Sequence, residues 1–165
     1  MANLPQLLEE DISGLNDALH SLLMKSEASS ALLIDKGGFL ITTTGEVENL
    51  DTVTLSALAA ASFAATQGLA NLIDEPNFST VYQQGEKNSL LVVNVDPSCL
   101  LTVVFKATIA VGAVKYYAEQ IIANVAAHLT NAREREPGAS LDLSLLNLAD
   151  TRPVFQRKKA KNRAA

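Results

Sequence analysis

Ser89-Leu90-Leu91-Val92-Val93-Asn94-Val95, then Asp96-Pro97-Ser98, then Cys99-Leu100-Leu101-Thr102-Val103-Val104-Phe105 is the stretch that decides the architecture of this chain. Both apolar runs are short, rich in β-branched residues and bounded by turn formers, the pattern of two strands joined by a hairpin. They are apolar at consecutive rather than alternate positions. A strand with one wet face alternates, so strands apolar on both sides are expected to be covered on both sides. A sheet sandwiched by helices follows.

Upstream, Phe78 to Gln83 is a further strand, separated from the pair by Gln84-Gly85-Glu86-Lys87-Asn88. Before it lies an uncharged stretch, Thr52 to Ile73, which Asn49-Leu50-Asp51-Thr52 can cap and Asp74-Glu75-Pro76-Asn77 stops. It predicts a long helix. The stretch could span a bilayer by length, but Thr52, Thr54, Ser56, Ser62, Thr66, Gln67 and Asn71 interrupt it, so no membrane span is expected. Further back, Ser30 to Asp35 and Phe39 to Thr43 flank the tight-turn sequence Asp35-Lys36-Gly37-Gly38 and predict a hairpin. Leu4, Leu8, Ile12, Leu15, Leu19, Leu22 and Leu23 recur at helical steps, which predicts a first helix from Leu4 to Ser26.

Downstream, Lys106 to Val111 connects to a last helix over Gly112 to Asn131, with Val114, Tyr117, Ala118, Ile121, Val125 and Leu129 on one side. Arg133-Glu134-Arg135-Glu136-Pro137-Gly138 then marks a boundary, giving one domain over 1–131 and a tail over 132–165. The tail carries an apolar island, Leu141 to Leu148, and a basic end, Arg157 to Arg163. It fits a short amphipathic docking peptide or a solvated extension.

Hydrophobic residues make up 48% and charged residues 19% of the chain, an ordinary globular composition. The net charge of -5 argues against general nucleic-acid binding, which needs a basic surface to displace counterions from phosphates. Cys99 is the only cysteine, so no disulfide framework exists within one chain. Met1 to Leu8 lacks the charged and apolar regions of a secretory signal. A cytoplasmic protein is expected.

The order helix, two strands, helix, three strands, helix (αββαβββα) describes an α+β protein. Leu33-Ile34-Asp35-Lys36-Gly37-Gly38, Asn49-Leu50-Asp51-Thr52, the segment Ala64 to Ile73 and the segment Gln84 to Leu90, taken in this order, resemble the Roadblock (dynein light chain type) family, and within it the bacterial MglB group. The resemblance covers about Leu4 to Leu129. It implies a five-stranded, mostly antiparallel sheet with one helix on one face and two on the other. It also implies a homodimer in which edge strands and second helices meet across a two-fold axis, with Phe78 to Gln83 as the edge and Phe78, Val81 and Gln83 as its interface residues. The partner it implies is a Ras-like small GTPase of the MglA type, whose GTP hydrolysis is stimulated without an inserted arginine finger. The segment 132–165 departs from that pattern.

The long uncharged helix carries two apolar stripes. At 100° per residue, Leu55, Leu58, Ser62, Ala65, Leu69 and Leu72 form one that can cover the sheet. Ala57, Ala60, Ala61, Ala64 and Gly68 form another, rotated by roughly 120°. No side chain in the second exceeds a methyl group, so a second polypeptide could approach its backbone closely. The plain alternative is that alanine favours helix and Gly68 is a tolerated flaw of about 1 kcal/mol.

No Gly-x-x-x-x-Gly-Lys-Ser/Thr sequence occurs, so the chain is not itself expected to be a GTPase. Gly112-Ala113-Val114-Lys115 is more simply a helix start than an anion site. His20 and His128 lie on separate predicted helices with no second ligand at metal-binding spacing. Cys99 fits a small buried hydrophobe. No catalytic residue, metal or cofactor is expected. Every arginine (Arg133, Arg135, Arg152, Arg157, Arg163) follows the predicted last helix, so the folded core offers no guanidinium to a partner's active site. Three functions remain open: a GTPase regulator, an adaptor that binds a GTPase or motor complex without altering nucleotide turnover, and a small-molecule sensor, since a helix-covered sheet can hold a ligand.

Overall fold

The computed structural model describes residues 5–135. Leu4, the apolar island Leu141 to Leu148 and the basic end Arg157 to Arg163 lie outside the described residues.

The strands that decide the fold are β4 (Asn88–Asn94) and β5 (Cys99–Lys106), and both are interior. With β1 (Ser30–Asp35), β2 (Leu40–Gly45) and β3 (Thr80–Gln83) they form one sheet in the order β2-β1-β5-β4-β3, every neighbouring pair antiparallel. The consecutive apolar residues of the central strands divide between two faces, as the pleat requires. Leu33, Leu91, Leu101, Val103 and Phe105 point to one side, and Leu32, Ile34, Val92 and Leu100 to the other.

Helix α1 (Glu9–Ser26) and helix α3 (Val111–Glu134) pack on each other and cover the first face. Leu15, Leu19, Leu22, Val114, Ala118, Val125 and Leu129 close that larger core. Helix α2 (Thr52–Leu72) alone covers the second face. This is the α+β architecture expected from the element order.

The element ends shift for local reasons. The first helix begins at Glu9, not Leu4, because Leu8 is extended and its N–H donates to Asp11 Oδ2 at 2.8 Å, which fixes the start. Glu9, Glu10 and Asp11 then occupy the first turn, where the helix dipole favours acids. Phe39 belongs to the hairpin turn, its N–H held by Asp35 Oδ1, so β2 starts one residue late. Strand β3 starts at Thr80, since the carbonyl of Phe78 is taken by Gln67 Nε2 of α2 at 2.7 Å. At the other end α3 extends to Glu134, beyond the predicted Asn131.

The hairpin turn brings β1 and β2 over the start of α2. Gly38 has φ +92 and lies so close to the helix that a Cβ there would sit 2.9 Å from Ala57 Cα. Only glycine satisfies both conditions.

Candidate partner-binding face

Asp51 caps α2 by accepting from Thr54 N at 3.0 Å, and hydrogen bonding from the Thr54 side chain and backbone holds its carboxyl below the usual carboxylate range. From this fixed start, Ser56, Ala59, Ala60, Phe63 and Ala70 fall on the side turned to the sheet. Phe63 is the one large residue among them, and it meets Leu32, Ile34, Val92 and Leu100.

This reverses the expected roles of the two stripes. The leucine stripe was expected to cover the sheet; instead Leu58 is 64% exposed, Leu69 59% and Leu72 80%, with Ala65 exposed beside them and Leu55 and Ser62 half-buried. The helix meets the sheet through small side chains, which allow a close approach, and Phe63 fills the space between. The leucines are carried outward by the same rotation. Ser56, Phe63 and Ala70 lie two helical turns apart in succession, and that spacing was the available signal for the buried side.

Of the small-residue stripe, Ala57, Ala61, Ala64 and Gly68 are exposed on the outward face, and nothing lies within 4 Å of a Cβ built on Gly68. Ala60 departs from them: it is 5% exposed and packed against the sheet. The outward face of α2 therefore combines members of both stripes, Ala57, Leu58, Ala61, Ala64, Ala65, Gly68, Leu69 and Leu72, and contains no charge. It is a broad apolar surface rather than an alanine seam. By length and composition α2 could cross a membrane, and in this structure it lies on the sheet with its Phe63 side buried.

Strand β3 borders this surface and has one free hydrogen-bonding edge among the described residues, since its only partner in the sheet is β4. Phe78 and Val81 are half-buried, Val81 on the α2 side, while Gln83 is exposed and donates from Nε2 to Ser62 Oγ at 3.3 Å. Gln83 and Gln67 thus tie the strand to the helix, so that edge and helix face form one continuous surface.

Arg133 stands where the sequence did not place it. The longer α3 includes it in its last turn, and its guanidinium meets Asp96 Oδ2 at 2.6 Å and also donates to Ser98 Oγ. It is committed to the β4–β5 turn. His20 is exposed on α1, and His128 on α3 fits against Gly14 of α1. Among the described residues no three His, Cys, Asp or Glu side chains are grouped to hold a metal ion. Cys99 is buried, and burial pushes its thiol up to about 11, so it is a poor nucleophile at neutral pH.

The sequence pattern of the Roadblock/LC7 domain family matches residues 15–105. Myxococcus xanthus MglB has a similar structure, with TM-score 0.73 and 28% identity over 79% of this chain and 98% of that one. The gliding protein MglB of Thermus thermophilus is similar to the same degree, with TM-score 0.73 and 28% identity over 79% of this chain and 99% of that one. A structure of MglB with a tetrameric arrangement gives TM-score 0.74 and 29% identity over 80% of this chain and 99% of that one. No curated protein sequence matches the chain.

Proposed function

The chain belongs to the Roadblock/LC7 family, and from that premise we propose that it is a cytoplasmic, dimeric regulator that binds a Ras-like small GTPase of the MglA type and stimulates GTP hydrolysis. The likeness to MglB proteins supports a Roadblock-type regulator within a GTPase system, and the tetrameric arrangement of one of them supports self-association.

One observation carries the reading: α2 presents an uncharged apolar face beside the open edge of β3. A helix that is apolar on several sides needs burial on several sides, and the sheet of its own chain covers only one. Pairing of two β3 edges would extend the sheet through a two-fold axis and bring two α2 helices together. The outward face around Ala64 and Gly68 then offers a small-residue surface to the GTPase.

The regulator acts without an arginine finger. A finger in trans is worth about 10³–10⁵ in rate, but it must reach the phosphates freely. Arg133 is held by Asp96 and Ser98, no arginine precedes it, and only the segment after α3, with Arg135, Arg152, Arg157 and Arg163, could supply one. Acceleration then comes from selecting the hydrolysis-competent arrangement of the GTPase, whose own residues complete the site.

The test is single-turnover GTP hydrolysis by the cognate GTPase with and without this chain. Acceleration supports the reading. Tight binding with an unchanged rate replaces it with an adaptor, and no binding removes the partner altogether.

A further inference from the structure

At the end of the sheet where β2 and β5 stop, Gly45, Ser30 and Val104 lie side by side across β2, β1 and β5, and Lys106 stands opposite Asn88 of β4. Val104 and Lys106 are two residues apart on one strand, so they share a face, the one that α2 covers further along through Leu90 and Val92. The connection that leads from β2 into α2 passes this end. It is held by the Glu46 N–H, which donates to the Ser29 carbonyl at 2.9 Å, and by the Leu50 N–H, which donates to the Val47 carbonyl at 3.0 Å. Strand ends and connection enclose a cavity of about 650 Å³, within the usual range for small-molecule sites. None of its lining residues belongs to the outward face of α2 or to β3.

The charged side chains that line it, Glu46, Glu48 and Lys106, are all exposed, so a molecule in the cavity reaches them without displacing the core. None of the three forms an ion pair among the described residues. Acid and base thus line the same space without meeting across it. The side-chain amides of Asn49 and Asn88 are exposed there as well and make no hydrogen bond among the described residues. Leu50 and Val104, both half-buried, supply the apolar part of the lining.

We propose that this cavity binds a free basic amino acid, its carboxylate on Lys106 and its two cationic groups on Glu46 and Glu48. The site goes beyond the GTPase reading and is independent of it. The ligand class follows from the charges: two carboxylates against one ammonium repel phosphates and dicarboxylates, while a bare diamine leaves Lys106 opposed by a like charge. A basic amino acid gives each of the three charged groups one partner of opposite sign. Its methylene stem fits against Leu50 and Val104, and the Asn49 and Asn88 amide oxygens accept from a guanidinium.

The probe is L-arginine, titrated into the full chain at constant ionic strength and followed by amide chemical shifts. Saturable shifts confined to Ser29, the segment Gly45 to Leu50, Asn88 and Lys106 are expected. Lys106→Gln, at an exposed position, should weaken arginine about fivefold, the upper range for an exposed ion pair. Agmatine, which lacks the carboxylate, should bind wild type several-fold more weakly than arginine and lose nothing further in Lys106→Gln. Changing Glu46 and Glu48 together to Gln should weaken both ligands about tenfold, and citrulline, which lacks the guanidinium charge, should bind wild type more weakly than arginine. Lys115→Gln, on α3, should change nothing. Shifts that fail to saturate at tens of millimolar arginine, or equal arginine binding by wild type and the Glu46, Glu48 double variant, overturn the site. Equal binding of agmatine and arginine overturns the amino-acid class. None of these outcomes involves the GTPase.

Discussion

The guanidinium of Arg133 lies 2.6 Å from Asp96 Oδ2, joining the last turn of α3 to the β4–β5 turn. Asp96 Oδ1 meanwhile accepts from Ser98 N at 2.8 Å and Cys99 N at 2.7 Å. Burial alone would raise this carboxyl, but the Arg133 hydrogen bond and the two backbone N–H groups outweigh it, and the pKa lies below the usual 3.8.

Arg133→Gln should therefore destabilise the chain at pH 7 by about 1.5–3 kcal/mol, the range for a hydrogen bond to a charged group. A depressed folded-state pKa contributes stability that is present above the unfolded value and lost as pH falls through the folded one. The gap between wild type and variant in urea unfolding midpoint should thus be full at neutral pH and shrink below pH 3.8. A gap that stays constant into strong acid would show that the ion pair contributes nothing specific.

Gly68→Arg places a long cation where the structure has open space, so the fold should hold and the melting temperature should change little. Binding of the GTPase should be lost. Pull-down at wild-type strength would remove Gly68 from the partner surface.

Leu69→Glu tests self-association. Leu69 is 59% exposed on the outward face of α2, and a carboxylate there opposes burial against a second chain. Light scattering should give a dimer for wild type and a shift toward monomer for the variant, with unchanged far-UV circular dichroism. A monomeric wild type at high concentration would end the dimer proposal.

Phe63→Ala removes the one large side chain that fastens α2 to the sheet. Loss of about 3–4 kcal/mol is expected from the deleted burial and the cavity left behind. Amide exchange should rise across α2 more than across α1 or α3, whose packing does not use it. Uniform acceleration in all three helices would contradict this.

Thr102→Val should stabilise the chain by about 1 kcal/mol. The Thr102 hydroxyl is fully buried without a hydrogen-bond partner in the centre of the sheet, and valine keeps the shape while removing the unpaired group. A lower urea midpoint for the variant would mean the hydroxyl is satisfied after all.

The amino-acid order by itself determined the kinds of element and their succession. Consecutive apolar residues in Leu90 to Val93 and Leu100 to Phe105 require cover on both faces, and that requirement belongs to the strands alone. The helical repeat of α3, the turn at Asp35 to Gly38 and the uncharged length of α2 are equally local, so they were legible and only their ends moved by a few residues.

Only the tertiary structure decided which side of α2 meets the sheet. Both candidate sides are apolar, and a helical repeat alone does not choose between two acceptable faces; close approach of small residues around Phe63 made the choice, burying Ala60 and leaving Leu58, Leu69 and Leu72 outside. The clasp of Arg133 on Asp96 and the cavity shared by Glu48 and Lys106 were hidden for the same reason. They join residues far apart in the chain, and such pairs exist only once the sheet register and helix packing have set the distances between them.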